Sequence, residues 1–129
     1  MDDSVKYTKL MPQLVVRDVV ETAEFYRDIL GFRILGYFLD PPVYAMVEKD
    51  SAEIHFGKAD GDQINTNESV RKGLGTDLYL VVSDIDKLFA ELKEGKVNFT
   101  EEKEIVTRIY GSREFSILDC NGFKITFGD

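Results

Sequence analysis

The chain has 129 residues, of which 43% are apolar and 12% aromatic, enough to build one compact core. Its 24 acidic and 16 basic residues leave a net charge of −8, which disfavours nucleic acid and anionic lipid and favours solubility or a cationic small molecule. The charged residues are spread along the chain rather than bunched, which excludes global disorder. Cys120 is the only cysteine, so no intrachain disulfide can form, and a lone thiol fits a reducing cytoplasm. The opening MDDSVKYTKL has no basic end followed by an apolar run, and no apolar stretch approaches the roughly 18 residues of a membrane helix. A soluble, cytoplasmic protein without a membrane or nucleic-acid partner is expected.

In chain order, Leu14-Val15-Val16 is a β-branched run that stops at Asp18, a residue type that caps helices. Glu21 stands at capping-box spacing behind it. Val19, Ala23, Tyr26 and Leu30 form the apolar stripe of a first helix, and Gly31 is placed to end it. Two strands follow, near residues 32–39 and 43–49, with Asp40-Pro41-Pro42 as the turn between them. Asp50-Ser51-Ala52-Glu53-Ile54-His55-Phe56-Gly57 opens on a turn and continues with strand alternation. Residues 59–75 are polar and glycine-bearing and link what comes before to what comes after, with a short helix around residues 67–72.

The second half repeats the first. Leu80-Val81-Val82-Ser83-Asp84-Ile85 matches Leu14 to Val19 at an offset of 66 residues, and Asn121 to Gly128 matches Asp50 to Gly57 at an offset of 71. Behind Asp84, Ile85, Leu88, Phe89 and Leu92 mark one buried helical stripe, with Gly95 as its stop. Strands are expected near residues 98–106 and 113–118, the latter ending in the turn Asp119-Cys120-Asn121-Gly122. Glu101-Glu102-Lys103-Glu104 is read as a solvated charge run. Two matched starts and two matched ends in order define an internal repeat. The fold class is α+β: two βαβββ modules, about 10–58 and 76–128, forming a cupped mixed sheet with helices on its outer face, in a single domain over 1–129. Neither half, at about 50 residues, is large enough to bury a core alone.

Strand alternation sorts the side chains. Leu14, Val16, Ile54, Phe56, Leu80, Val82, Ile125 and Phe127 face the helices. Met11, Gln13, Val15, Glu53, His55, Asp77, Tyr79, Val81, Lys124 and Thr126 face the other way. That mixed set cannot be an ordinary core, since buried charges need partners, so it is solvated or lines a cleft.

The strings LVVRDVVETAEFYRDILGF and REFSILDCNGFKITF resemble the vicinal oxygen chelate superfamily, which includes glyoxalase I, fosfomycin-resistance enzymes, extradiol dioxygenases and bleomycin-resistance proteins. Cys120 stands where the closing turn of that family usually has Pro. The resemblance implies four metal-ligand positions, one on the first and one on the last strand of each half. They fall at Met11, His55, Asp77 and Thr126. Met11 offers a soft thioether and Thr126 a neutral hydroxyl, poor ligands for a hard ion. Glu48, Glu53 or Glu114 would have to move in to complete a site. No metal, cofactor or catalytic residue is therefore expected, and His55 is read as a rim imidazole bonded to a neighbour such as Asp77. A Cys120–His55 nucleophilic pair has no support, and no phosphate-cradling glycine motif occurs.

Losing the ligands while keeping the fold makes the chain resemble the bleomycin-resistance branch, whose members are dimers that sequester a drug without reaction. The resemblance implies a small-molecule binding homodimer, its ligand cationic if the charge balance decides. Pro12 resembles the hinge from which an N-terminal arm crosses to the partner; an edge-strand proline is the alternative. The expected ligand-binding residues are His55, Asp77, Gln13, Tyr44, Tyr79, Tyr110, Glu114 and Ser116. Tyr37 and Phe38 are further cleft aromatics, and Arg108 and Arg113 further polar contacts. A metal-dependent lyase or dioxygenase of the same superfamily, or a cleft serving another metabolite or assembly alone, are the alternatives.

Overall fold

The computed structural model describes residues 3–73, 75–100 and 103–129. Each half runs strand, helix, then strands. In the first half these are β1 (Gln13–Val16), α1 (Val19–Asp28), β2 (Arg33–Phe38), β3 (Tyr44–Lys49) and β4 (Ala52–Lys58). A short helix α2 (Asn67–Val70) lies in the link. The second half has β5 (Leu78–Val81), α3 (Ile85–Lys93), β6 (Asn98–Phe99), β7 (Val106–Thr107), β8 (Arg113–Leu118) and β9 (Lys124–Gly128). The hydrogen-bonded order is β1-β4-β3-β2 in one sheet and β5-β9-β8-β6 in the other, with β7 also on β8. The cup is thus made of two sheets, one per repeat. In each, the first strand runs parallel to the last, pairing Gln13 with His55 and Tyr79 with Thr126.

The helices form where their caps place them. Asp18 accepts from the backbone N–H groups of Val20 and Glu21, both at 3.0 Å, and Asp84 from that of Lys87 at 3.1 Å. These carboxylates satisfy donors that the first helical turn leaves free. Glu21 returns no bond to Asp18 among the described residues; the reciprocal capping box is instead at Thr66 and Ser69. Gly31, at φ 78°, takes the left-handed conformation that ends α1. Gly95 does not take it: α3 closes on an ordinary right-handed turn through Glu94, so the second glycine is a stop by position and not by conformation.

The face assignment holds. Val16, Ile54, Phe56, Ile125 and Phe127 are buried, and Leu14, Leu80 and Val82 are half-buried against the same core. That core draws on both halves: Tyr26 meets the rings of Phe32 and Phe56, while Phe89, Phe115 and Phe127 form a ring cluster in the second half. The halves are tied by polar bonds from the α1 region to the β8–β9 turn. Tyr26 donates its buried hydroxyl to Asp119 Oδ2 at 2.7 Å, and Asn121 Nδ2 donates to Thr22 Oγ1 at 2.9 Å. Asp119 Oδ1 also accepts the N–H groups of Asn121 and Phe123, and Gly122 sits at φ 87°, so this turn is held from within.

The second strand of the second half departs from expectation. Instead of one strand over residues 98–106 there are two short pairings, β6 and β7, both antiparallel to β8. Between them Lys103 has φ 55° and its N–H returns to the carbonyl of Thr100. The extra residues of this half are absorbed there as an excursion, and a charged stretch has no apolar side to hold it against the sheet. Glu101 and Glu102 of the charge run lie outside the described residues.

Candidate functional site

The non-helical face carries two side-chain constellations at equivalent places in the repeat. In the first half, β3 and β4 bring Met46 opposite His55 and Tyr44 opposite Gly57. The Tyr44 hydroxyl lies 2.7 Å from His55 Nδ1, and His55 Nε2 lies 2.6 Å from Glu53 Oε2. The other Glu53 oxygen accepts from Lys9 Nζ at 2.5 Å. Lys9, and after it His55, hold the Glu53 carboxyl below the usual carboxylate range, and the same pairing raises the Lys9 ammonium. Both imidazole nitrogens are thus engaged, Nε2 with the carboxylate and Nδ1 with the phenol. Gln13 lies across Gly57, where a Cβ would stand 2.9 Å from its Nε2.

In the second half the equivalent of Gln13 is Tyr79, and the equivalent of Gly57 is Gly128. Tyr79 crosses Gly128 so closely that a Cβ there would collide with its hydroxyl. The hydroxyl reaches Glu114 Oε2 at 2.6 Å, beside Tyr110 at 2.8 Å, and Arg108 Nε donates to Oε1 at 2.9 Å. Glu114 is only 4% exposed. Burial would push its carboxyl up, but the donors Tyr79, Arg108 and Tyr110 together bring it below the ordinary value. Both phenols are raised in turn, first by their bonds to this carboxylate. Beside it runs a hydroxyl chain, Thr76 to Thr126 at 2.7 Å and Thr126 to Ser116 at 2.8 Å. These groups, with Lys124, line a cavity of about 360 Å³.

A larger cleft of about 810 Å³ lies between the halves, its walls including Leu10, Pro12, Ile54, Tyr79 and Leu80. Its charged lining is Lys9 against Glu48, Asp50, Glu53 and Asp77, so it is acidic. An adjoining space of about 650 Å³ is lined by Gln13, Val15, Asn65 and Asp77, among others.

The four positions that the family uses for a metal do not fit one here. Asp77 spends one oxygen on the N–H of Asn67 and the other on that of Lys124. His55 has both nitrogens engaged, Thr126 is bonded to two hydroxyls, and Met11 offers only sulfur. Among the described residues no group of three or more His, Cys, Asp or Glu side chains is arranged to hold a metal ion.

Several expectations need correction. The partners of His55 are Tyr44 and Glu53, not Asp77, whose carboxylate is turned to the backbone of the link and of β9. Arg113 leaves the cleft altogether: it is the odd neighbour of Glu114 on β8, points to the helix side and pairs with Asp86 of α3 at 2.7 Å. Tyr37 and Phe38 lie at the far edge strand β2 and line none of these three spaces. Glu48 lines the large cleft but is paired with Arg33. Cys120 is far from His55 chemistry, half-buried in the closing turn near Thr22, with its thiol pushed up to about 11 by burial. Lys9, Thr76, Gly57 and Gly128 are site residues that sequence reasoning passed over. The glycines had a signal, since both end the repeated strand motif.

Two βαβββ repeats, helices behind and an acidic cleft in front, define a repeat-built α+β protein. Residues 8–127 match the family model described as the Glyoxalase/Bleomycin resistance protein/Dioxygenase superfamily, and the chain belongs to that superfamily. No curated protein is significantly similar in sequence. Among solved structures, TioX from Micromonospora sp. ML1 is similar with a TM-score of 0.73 at 14% identity, over 95% of this chain and 98% of its own. A glyoxalase-related enzyme from Clostridium phytofermentans gives 0.73 at 18% identity, over 98% of both chains. The bleomycin-binding protein of Streptomyces verticillus, solved with copper(II)-bleomycin, gives 0.70 at 21%, over 96% of this chain and 97% of its own. At these identities the likeness is one of fold. No helix among the described residues is long and apolar enough to cross a membrane.

Proposed function

We propose that this chain is a cytoplasmic, metal-free homodimer that binds and sequesters a small molecule, its two repeats acting as one unit. The observation that carries the reading is the acidic cleft of about 810 Å³ between the halves, large enough for a drug-sized ligand. The chemistry next to it supports binding over metal catalysis: three of the four groups at the family's ligand positions, His55, Asp77 and Thr126, are committed to protein partners, and the fourth, Met11, offers only sulfur. Four carboxylates against one ammonium favour a cationic ligand in that cleft, and the bleomycin-binding protein of the same fold supplies the first compound to try. His55, Asp77, Gln13, Tyr44, Tyr79, Tyr110, Glu114 and Ser116 are the ligand-binding set. Asp77 and His55 serve it by fixing the walls. Val5, Tyr7 and Leu10, at 84%, 99% and 85% exposed, support an arm that Pro12 directs onto a second copy, because apolar side chains in that position lack a cover.

Titration with metal-free bleomycin, followed by tyrosine emission since the chain has no Trp, tests the ligand class. Saturable binding at micromolar drug is expected. Stoichiometric divalent metal in protein purified without chelator, lost in the His55→Ala variant, would overturn the reading in favour of a metal enzyme. A monomer in sedimentation would remove the dimer from it.

A further inference from the structure

The cavity of the second half differs in charge from the large cleft, although Tyr79 lines both. Its charged lining is Arg108 and Lys124 against the single carboxylate of Glu114. That carboxylate is not available to a ligand cation: Arg108 neutralises it and three donors occupy its oxygens. Lys124 is the remaining charge. It stands on the cleft face of β9, in alternation with Thr126, and makes no ion pair among the described residues. Next to it, Thr76, Thr126 and Ser116 form a connected row of hydroxyls. The Thr76 hydroxyl also lies within donating distance of the Leu78 and Lys124 carbonyls, at 3.2 and 3.3 Å; when it donates to Thr126 instead, the row runs on to Ser116 and leaves that O–H for an incoming oxygen. Two phenol rings, fixed at their hydroxyl ends on Glu114, complete the walls. Tyr79 is 44% and Tyr110 70% exposed, so their apolar faces are open to a flat ligand.

We infer that this cavity is an anion subsite, taking the carboxylate or phosphoryl group of a small planar molecule between Lys124 and the Ser116–Thr126 hydroxyls. Its volume of about 360 Å³ admits a single-ring compound. The inference rests on the reading that this face binds small molecules, and it names the chemistry of one part of it. The consequence is a protein that is acidic overall and in its large cleft, yet selects an acid beside it. A natural ligand spanning both would carry a cation at one end and an acid at the other.

The test uses the full chain, with amide shifts of Thr76, Ser116 and Thr126 followed by NMR. Benzoate and phenyl phosphate are the anionic probes, phenyltrimethylammonium the cationic one and benzyl alcohol the neutral one. Saturable shifts with the anions are expected, stronger than with benzyl alcohol. Lys124→Met keeps the aliphatic stem and should weaken the anions about tenfold or more, the worth of one charge-assisted bond; Lys124→Arg should restore them. Binding of phenyltrimethylammonium in place of the anions, anion binding indifferent to Lys124→Met, or no saturable anion binding would each overturn the inference. Bleomycin binding is read separately. Drug bound without anion sinks the subsite alone, whereas anion bound without drug sinks the sequestration reading alone.

Discussion

A Cβ at Gly128 would meet the Tyr79 hydroxyl oxygen, so Gly128→Ala must push Tyr79 away from Glu114. The lost donor leaves a buried carboxylate under-satisfied, which costs about 1–3 kcal/mol; denaturant unfolding should show that loss. Gly57→Ala should cost less, because the neighbour there is the flexible end of Gln13. Glu114 also sets a pH dependence. Its folded carboxyl titrates below the unfolded value of about 4.3, so its contribution is fully present above that value. It is lost as the pH falls through the folded value. Glu114→Gln should therefore flatten the acid limb of the stability curve. Asp119 works in the opposite sense: burial raises its carboxyl despite Tyr26 and two backbone donors. Its contribution is present below the unfolded value of about 3.9 and lost as the pH rises through the folded one. The acid limb is thus a difference of two terms, and the Gln variant isolates one. These partnerships were only partly legible in the sequence. Parity placed Lys124 and Thr126 on the face away from the helices, but it could not tell that His55 would find Glu53, two residues away on its own strand, before Asp77. Such choices depend on side-chain reach across strands, which alternation does not encode.

At the scale of elements, the repeat was legible because it is written twice. Asp18 and Asp84 cap helices at matched places, and Ile54, Phe56, Ile125 and Phe127 face the helices at matched places. The break between β6 and β7 was not legible. The apolar ends of residues 98–106 suit one strand, and the charge run between them, read only as solvated surface, did not by itself mark where the extra residues leave the ladder. Gly95 illustrates the same limit from the other side: position suggested a left-handed stop, but the chain turned without it. The link from α1 to the β8–β9 turn was also invisible, since it depends on how the halves pack. Tyr26→Phe tests that link. Removing the hydroxyl leaves Asp119 one donor short in a buried site, with a cost of about 1–3 kcal/mol. The aromatic contacts with Phe32 and Phe56 should survive, so the variant should unfold earlier while retaining native near-ultraviolet circular dichroism.

At the scale of the whole molecule, the arm before β1 and the acidic cleft share Lys9, whose ammonium is bound to Glu53. If the arm covers a second copy, deleting residues 1–10 should convert the dimer to a monomer in sedimentation and also release Glu53. A cationic ligand in the cleft should then bind with a steeper dependence on ionic strength, because one internal cation no longer screens the carboxylates. Unchanged association state after the deletion would separate the arm from assembly. Net charge alone had suggested solubility or a cationic small molecule. The distribution of that charge is what sequence could not supply: the carboxylates gather in the large cleft, while Lys124 and Arg108 are kept for the smaller cavity.

The bond between Tyr26 and Asp119 spans 93 positions of the chain. During synthesis α1 emerges early, and its tyrosine meets its protein partner only when the closing turn follows. The first repeat, too small to bury a core alone, is therefore completed by a late-made segment. Such a long-range closure slows folding relative to local contacts, and until it forms the apolar surface of the first repeat stays open to water.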